Sequence, residues 1–295
     1  MTSTPQSALT PLASGKIPEA IDPIYRQIRD LVYKVSGIYK AEEKLYLLSD
    51  GCARRMKQLG LRTTREYWDQ LTAQPGRDGE LRHLLNEITI GETCLFRSQP
   101  QLDALRKVIL PEIVKEKTKQ ITKRLRIWSA ACCTGEEPYS LAIHLAEHFA
   151  PAESGRWQID GTDISTRVLE TARQGIYEAE KLTGVGADVL RRHFQKGEKK
   201  WAGHFRVKEE LRRCVRFHHL NLLDGTYPFA WPFDLILCRN VMIYFDRPTQ
   251  ETLVRQLTAK LVPGGHLLVG HSESLSGVKH TLKLIRPAIY AKLLG

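Results

Sequence analysis

From residue 23 to about residue 110, apolar positions recur at helical spacing. Ile24, Ile28, Leu31, Val32 and Val35 follow an i, i+4, i+7, i+8 rhythm. Leu45, Leu47 and Leu48 continue the style toward Leu59-Gly60-Leu61, where Gly60 reads as a helix stop. Strand-like alternation is absent, so the pattern predicts a domain of several short helices over 23–114. The charged segment KEKTKQITKR (115–124) reads as a linker. Beyond it, short β-rich runs alternate with helix-length amphipathic stretches. The runs are LRIWSA (125–130), WQIDGTDI (157–164), VRFHHL (215–220), FDLILC (233–238) and GHLLVGH (265–271); the helices start near 136, 166 and 248. That alternation predicts a parallel, doubly wound α/β sheet over 125–295, closed by an antiparallel hairpin within LKLIRPAIYAKLL. Residues 176–213 break the rhythm, being basic, punctuated by glycine and too long for an ordinary connection, and read as an insertion. Residues 1–22, rich in Ser, Thr, Pro and Ala, read as a flexible lead-in.

Composition narrows the class. The 295 residues are 42% hydrophobic and 26% charged, which is globular composition. The start of the chain lacks the basic and apolar regions of a signal peptide, and no apolar run approaches the ~20 residues of a membrane span. The six cysteines form no CxxC pair and no His stands at metal spacing, so we expect no metal and a reducing compartment. The net charge is +11 and uneven: residues 191–216 carry ten Lys/Arg against three Asp/Glu, and 115–126 six against one. A third basic set comprises Lys40, Lys44, Arg54, Arg55, Lys57, Arg62 and Arg65. Such a balance is compatible with nucleic acid, an anionic surface or an acidic protein.

Candidate chemistry gathers at the ends of the β-runs, where open α/β sheets bind ligands. In WSAACCTGEEPYSLAIHLAE (128–147) the first strand turns at Gly135 into a helix, and Thr134 with Glu137 has capping-box spacing. The GxGxxG of dinucleotide sites is missing. Glu136 and Glu137 occupy the helix start, where they would repel phosphate and suit a positively charged ligand such as S-adenosylmethionine; they would equally complement the helix dipole. Asp163 ends the second run, where an acid takes ribose hydroxyls or, like Ser165, caps the next helix. Asn221 and Leu222 follow the third run, and Arg239 and Asn240 leave the fourth; such polar residues belong to a site or to packing. The Asn/Asp-Pro-Pro-aromatic signature of many enzymes that methylate nitrogen is absent.

Together, NEITIGETCLFR (86–97), WSAACCTGEEPYSLA (128–142), GTDISTRVLETARQGIY (161–177), FDLILCRNVMIYF (233–245) and GGHLLVGHSESL (264–275) resemble the CheR-type chemotaxis-receptor glutamate O-methyltransferases in order and spacing. The resemblance covers about 23 to 293. It implies an N-terminal all-α domain, a class I S-adenosylmethionine-dependent methyltransferase sheet of Rossmann-like type, and a small antiparallel β-subdomain inserted at about 176–213. It also implies cofactor contacts from Thr93, Arg97, Glu136, Asp163, Asn221, Leu222, Arg239 and Asn240, with Arg97 near the methionine end and the incoming substrate. Tyr244 lies over the methyl-transfer path in this reading. Two positions depart from the family: Gly91 stands where Asn is frequent, leaving only backbone for a contact, and Asp50 stands where an arginine usually follows the lysine matched by Lys44.

The implied reaction moves a methyl group from S-adenosylmethionine to a glutamate carboxylate of a methyl-accepting chemotaxis receptor, leaving S-adenosylhomocysteine. A glutamate is ionised at neutral pH (reference pKa ~4.3), so no general base is needed. Cys132 and Cys133 read as small residues permitting close backbone approach. Arg54, Arg55 and Lys57 are the expected receptor-docking cations. The resemblance further implies a monomer of the cytoplasm, recruited to membrane-embedded receptor arrays, with neither membrane insertion nor a nucleic-acid partner. A nonenzymatic methyltransferase-like binding module and, given the charge, a nucleic-acid methyltransferase are the competing readings.

Overall fold

The computed structural model describes residues 22–73, 79–89, 91–118, 124–149 and 155–294. The expected lead-in, apart from residue 22, and residues 119–123 of the expected linker lie outside them. Four helices come first: α1 (Ile24–Ser36), α2 (Leu45–Leu59), α3 (Thr64–Ala73) and α4 (Glu80–Ile88). Their apolar stripes meet in one core that includes Ile28, Val32, Leu45, Leu48, Tyr67, Leu71, Leu84 and Ile88. Gly60 ends α2 at φ 72°, the left-handed conformation that glycine adopts without a Cβ penalty.

Two more helices, α5 (Gln99–Ala104) and α6 (Leu110–Thr118), are joined by a π-helical turn over Leu105–Ile109. They pack on the sheet rather than on the four-helix cluster: Leu102, Leu105, Ile109 and Ile113 share a core with Leu125 and Ile127. Lys117 of α6 also makes a buried 2.9 Å ion pair with Asp234 of the sheet. The change of core therefore falls between Ile88 and Leu95, earlier than the expected 114. An amphipathic stripe specifies a face to bury, and says nothing of which neighbour covers it.

The main sheet comprises β1 (Leu125–Ala130), β2 (Trp157–Asp163), β6 (Val215–His219), β7 (Phe233–Cys238), β8 (Leu261–Val269), β9 (Leu282–Arg286) and β10 (Ile289–Lys292). Its order is β6-β2-β1-β7-β8-β10-β9, with β10 antiparallel to both neighbours and the other pairings parallel. Apolar side chains leave both faces. Leu125 and Ile127 of β1 join the core of α7 (Glu136–His148), whereas Trp128 and Ala130 join that of α11 (Arg247–Ala259). Burial on both faces is why these strands read as continuous apolar runs. α8 (Thr166–Gln174) follows β2, with Ser165 as its N-cap.

The 176–213 insertion contains β3 (Ile176–Glu178), α9 (Ala187–His193), β4 (Phe194–Lys196), β5 (His204–Val207) and α10 (Glu209–Arg212). Its strands form a separate antiparallel sheet in the order β3-β5-β4. Tyr177 reaches from it to the β1–α7 turn, where its hydroxyl donates to the Thr134 carbonyl at 2.8 Å. Among the described residues no helix is long and apolar enough to cross a membrane.

Candidate active site

From β1 the chain winds outward to β2 and β6, then returns to β7 on the other side. The β1/β7 border is thus a topological switch point, where a crevice opens beyond the strand ends. A cavity of about 1130 Å³, counting its open mouth, lies at these ends. Its floor is residues 131–133 after β1, 163–164 after β2, 220–222 after β6 and 239–241 after β7. The helical cluster and the loop after α4 supply the other wall, with Ser36, Ile38, Lys40, Ile88, Thr89, Gly91, Thr93 and Arg97.

Several bonds hold the helical cluster against the sheet. Asn221 Nδ2 donates to the Val35 carbonyl at 2.7 Å, Tyr39 N–H to the Tyr244 carbonyl at 3.0 Å, and Asn86 Nδ2 to Thr166 Oγ1 at 3.1 Å. Among the described residues seven non-glycines have positive φ, and five of them sit on the loops around the cavity: Phe96, Ser98, Ala131, Cys133 and Asn240. Each such conformation costs on the order of 1–3 kcal/mol, so their clustering marks a shape imposed by the site.

Asp163 lines the cavity at the end of β2. Its carboxylate accepts from Cys133 N–H at 3.0 Å and Ser165 N–H at 2.9 Å, and burial still pushes its pKa above the usual aspartate value. Ser165 takes the N-cap role by accepting from Val168 N–H. Gly91 approaches Cys133 so closely that a Cβ would sit 3.2 Å from the sulfur. Both thiols of the turn are held protonated by burial, Cys133 being pushed up to about 11 and Cys132 well above its ordinary value. They serve close packing rather than nucleophilic chemistry.

The acidic pair at the start of α7 departs from expectation. Glu136 is 1% exposed and does not line the cavity; Glu137 does. Glu136 Oε2 accepts from Thr134 Oγ1 at 2.6 Å, its other oxygen has no partner, and burial raises its pKa. The cause is the turn: the N-cap is Gly135 at φ 93°, so the expected Thr134–Glu137 capping box does not form. A side chain is barred at Gly135, whose Cβ would meet Ala172 at 3.0 Å and the Tyr177 hydroxyl at 3.1 Å. Glu137 instead accepts from Ser129 Oγ at 2.7 Å and pairs with Arg239 Nη1 at 3.0 Å.

Arg239, with a side chain only 5% exposed, also donates to the Arg97 carbonyl at 2.8 Å. It joins α7 to the loop carrying Arg97. The Arg97 guanidinium donates to the Glu92 carbonyl at 3.0 Å and has no carboxylate partner among the described residues. Tyr244 borders the cavity; burial raises its pKa while the charge of Arg97 acts in the opposite direction. Glu273 was not among the expected site residues. Its carboxylate, 7% exposed, accepts from Gly270 N–H at 2.6 Å, Asn240 N–H at 2.8 Å and Ile243 N–H at 3.3 Å, fixing the loop from Asn240 to Tyr244.

The cavity thus gathers Gly91, Thr93, Arg97, Asp163, Asn221, Leu222, Arg239, Asn240 and Tyr244, and exchanges Glu136 for Glu137. Of the expected docking cations, Arg55 forms a bidentate ion pair with Glu80 at 2.6 and 2.7 Å, with both side chains largely buried. That removes it from the docking surface. Arg54 is about half exposed and pairs with Glu87 at 2.8 Å; Lys57 is exposed.

Family models for the CheR methyltransferases match most of the chain, the all-alpha domain over residues 24–89 and the SAM binding domain over 91–290. Chemotaxis protein methyltransferase 2 of Pseudomonas aeruginosa is 37% identical over 267 residues, covering 90% of this chain and 92% of that one. The chemotaxis protein methyltransferases of Salmonella typhimurium and Escherichia coli are each 37% identical over 270 residues. Each alignment covers 92% of this chain, with 90% and 91% of the respective relatives.

Proposed function

The chain belongs to the CheR methyltransferase family, and from that premise we propose that this S-adenosylmethionine-dependent methyltransferase esterifies glutamate side chains of chemotaxis receptors. The observation that carries the reading is the cavity itself, where Asp163 at the end of β2 and Glu137 in the first turn of α7 line the same space, with Glu92, as an arginine without a carboxylate partner among the described residues. The donor set fits the cofactor. Asp163 retains acceptor capacity for ribose hydroxyls, Glu137 offers negative charge to an ammonium, and Ile164 and Leu222 offer apolar surface to a base. Gly91 leaves room for close approach of the backbone. When bound, S-adenosylmethionine supplies a methyl group activated by its sulfonium.

The remaining work falls to this chain's residues. Arg97 orients the incoming carboxylate by a contact that matters chiefly in the reactive complex. Tyr244, held from behind through Glu273 and Tyr39, excludes water from the path. No side chain has to remove a proton from the acceptor, which agrees with a cavity whose thiols are protonated. Lys57 contributes to docking of an acidic receptor segment, with Arg54 in a lesser part because Glu87 already neutralises it. We place the enzyme in the cytoplasm, at the receptors' cytoplasmic domains.

Incubation with methyl-labelled S-adenosylmethionine and a panel of receptor cytoplasmic fragments, with duplex DNA and RNA as controls, tests the proposal. Label should enter receptor protein as a base-labile ester. Label in nucleic acid, or in no acceptor despite S-adenosylhomocysteine binding, would reject it.

A further inference from the structure

The segment between α1 and α2 passes over the cavity as a strap. Asn221 fixes its entry by bonding the Val35 carbonyl in the last turn of α1, and Tyr39 N–H anchors it to the Tyr244 carbonyl at 3.0 Å. Side chains alternate around the second anchor: Ile38 and Lys40 line the cavity, whereas Tyr39 is 55% exposed. Lys40 is a lysine in an unusual setting, being only 6% exposed. No carboxylate among the described residues pairs with it. The charge that acts on it is Lys44, another cation, and burial together with Lys44 lowers its pKa. The stem of Lys40 is buried while its ammonium faces the cavity, where no anion among the described residues pairs with it, so an anion brought by a ligand would find a cation on the cavity wall.

The ligands of the proposed reaction supply the count. The cofactor carries two positive groups and one carboxylate, whereas the cavity holds two cations without a carboxylate partner, Arg97 and Lys40. Arg97 acts on the Tyr244 phenol, Lys40 directly follows the residue bonded to the Tyr244 backbone, and all three line the same cavity. Glu92, Glu137 and Asp163 also line the cavity, but none of them pairs with Arg97 or Lys40, so an entering acceptor carboxylate finds two cations open to it.

We propose that Lys40 is a specificity-determining residue for the acceptor, its ammonium pairing on the strap side with the glutamate carboxylate that Arg97 meets from the loop side. The assignment rests on the methyltransferase reading above. It has a consequence for turnover. Esterification converts the carboxylate into a neutral ester, so the ion pair exists with substrate and vanishes with product. Lys40 therefore favours entry of the acid and departure of the ester.

The test uses the full chain as parent, Lys40→Met, Lys40→Gln and Lys40→Arg, with a receptor cytoplasmic fragment carrying the methylated glutamate and the same fragment with glutamine there. Loss of the ammonium in the Met or Gln variant should lower kcat/KM for the glutamate fragment about tenfold, mainly through KM, and Lys40→Arg should recover most of it. With S-adenosylhomocysteine bound, calorimetry should show the parent preferring the glutamate over the glutamine fragment and the Met and Gln variants losing that preference. Affinity for S-adenosylhomocysteine should be unchanged, and melting temperature should stay close to the parent's because the ammonium bonds no group among the described residues. Unchanged fragment kinetics, or a loss of S-adenosylhomocysteine affinity instead, would overturn the assignment. A parent that binds S-adenosylhomocysteine but methylates no receptor fragment would refute the underlying reading, and the Lys40 assignment with it.

Discussion

Exchanging each of the adjacent acids at the start of α7 for its amide separates a cavity residue from a buried bystander. Glu137 pairs with Arg239 at 3.0 Å, with side chains 15% and 5% exposed. In Glu137→Gln the arginine keeps the Arg97 carbonyl but faces no charge, and its Nε already lacks a partner. Breaking a buried pair costs about 3–5 kcal/mol; because glutamine preserves an acceptor for Ser129, we expect the lower end, about 3 kcal/mol. At about 2–4 °C per kcal/mol for a chain of this size class, Tm should fall by roughly 6–12 °C. Losing a charged partner for the cofactor's ammonium should also cost about 1.5–3 kcal/mol of S-adenosylhomocysteine affinity, roughly 10–150-fold.

Glu136→Gln should do the opposite. Burial raises the folded-state pKa of Glu136 above its ordinary value, so ionisation destabilises the fold once pH exceeds the unfolded pKa, and the penalty disappears as pH falls. The amide removes that penalty. At pH 8 Glu136→Gln should be as stable as the parent or more so, the gain shrinking toward acid pH, with affinity unchanged. Calorimetric titration and thermal melts on both variants decide the matter. Greater loss of S-adenosylhomocysteine affinity in Glu136→Gln than in Glu137→Gln would refute the reasoning.

Asp163→Asn should lose about 1.5–3 kcal/mol of S-adenosylhomocysteine affinity. Burial raises the Asp163 pKa in the free protein, so parent affinity should fall as pH drops through that raised value, and calorimetry should show the asparagine variant with a flatter profile. Arg97→Ala should lower the methyl-transfer rate more than S-adenosylhomocysteine affinity, compared by kinetics and calorimetry on the same preparation. Glu273→Gln sets an amide group against one or more of the three N–H donors and should cost about 1–3 kcal/mol in a thermal melt, with a weakened kcat for a protein that still folds. Lys57→Glu should raise KM for a receptor fragment at low salt and lose most of that effect at high salt, whereas Arg55→Ala should show itself in a melt by breaking its buried pair with Glu80.

The sheet was legible because each inner strand buries both faces and so appears as an unbroken apolar run with polar residues where it ends. LRIWSA and FDLILC coincide with β1 and β7 residue for residue. Polar strand ends also pointed to the cavity, since the chain order placed them on one side of the sheet. What stayed hidden depended on side-chain direction or distant pairing. Spacing alone made Thr134 and Glu137 a capping box, but the left-handed Gly135 turns Glu137 to the cavity and buries Glu136. Arg55 looked like a surface cation because its partner Glu80 lies 25 residues away. Lys40 blended into a basic set, although the Asn221 and Tyr244 anchors make its segment a cavity wall. Glu273 binds backbone donors only, and such contacts leave no spacing signature.

The central claim is that the cavity esterifies a glutamate, and the site of modification tests it most directly. A receptor cytoplasmic fragment incubated with the protein and S-adenosylmethionine should be mapped by tandem mass spectrometry, before and after mild base. The account predicts peptides heavier by one methylene on a glutamate side chain, reverting in base and absent with Asp163→Asn at limiting cofactor. A base-stable methyl group on a nitrogen or sulfur atom, or no modified peptide from a protein that binds S-adenosylhomocysteine, would contradict it.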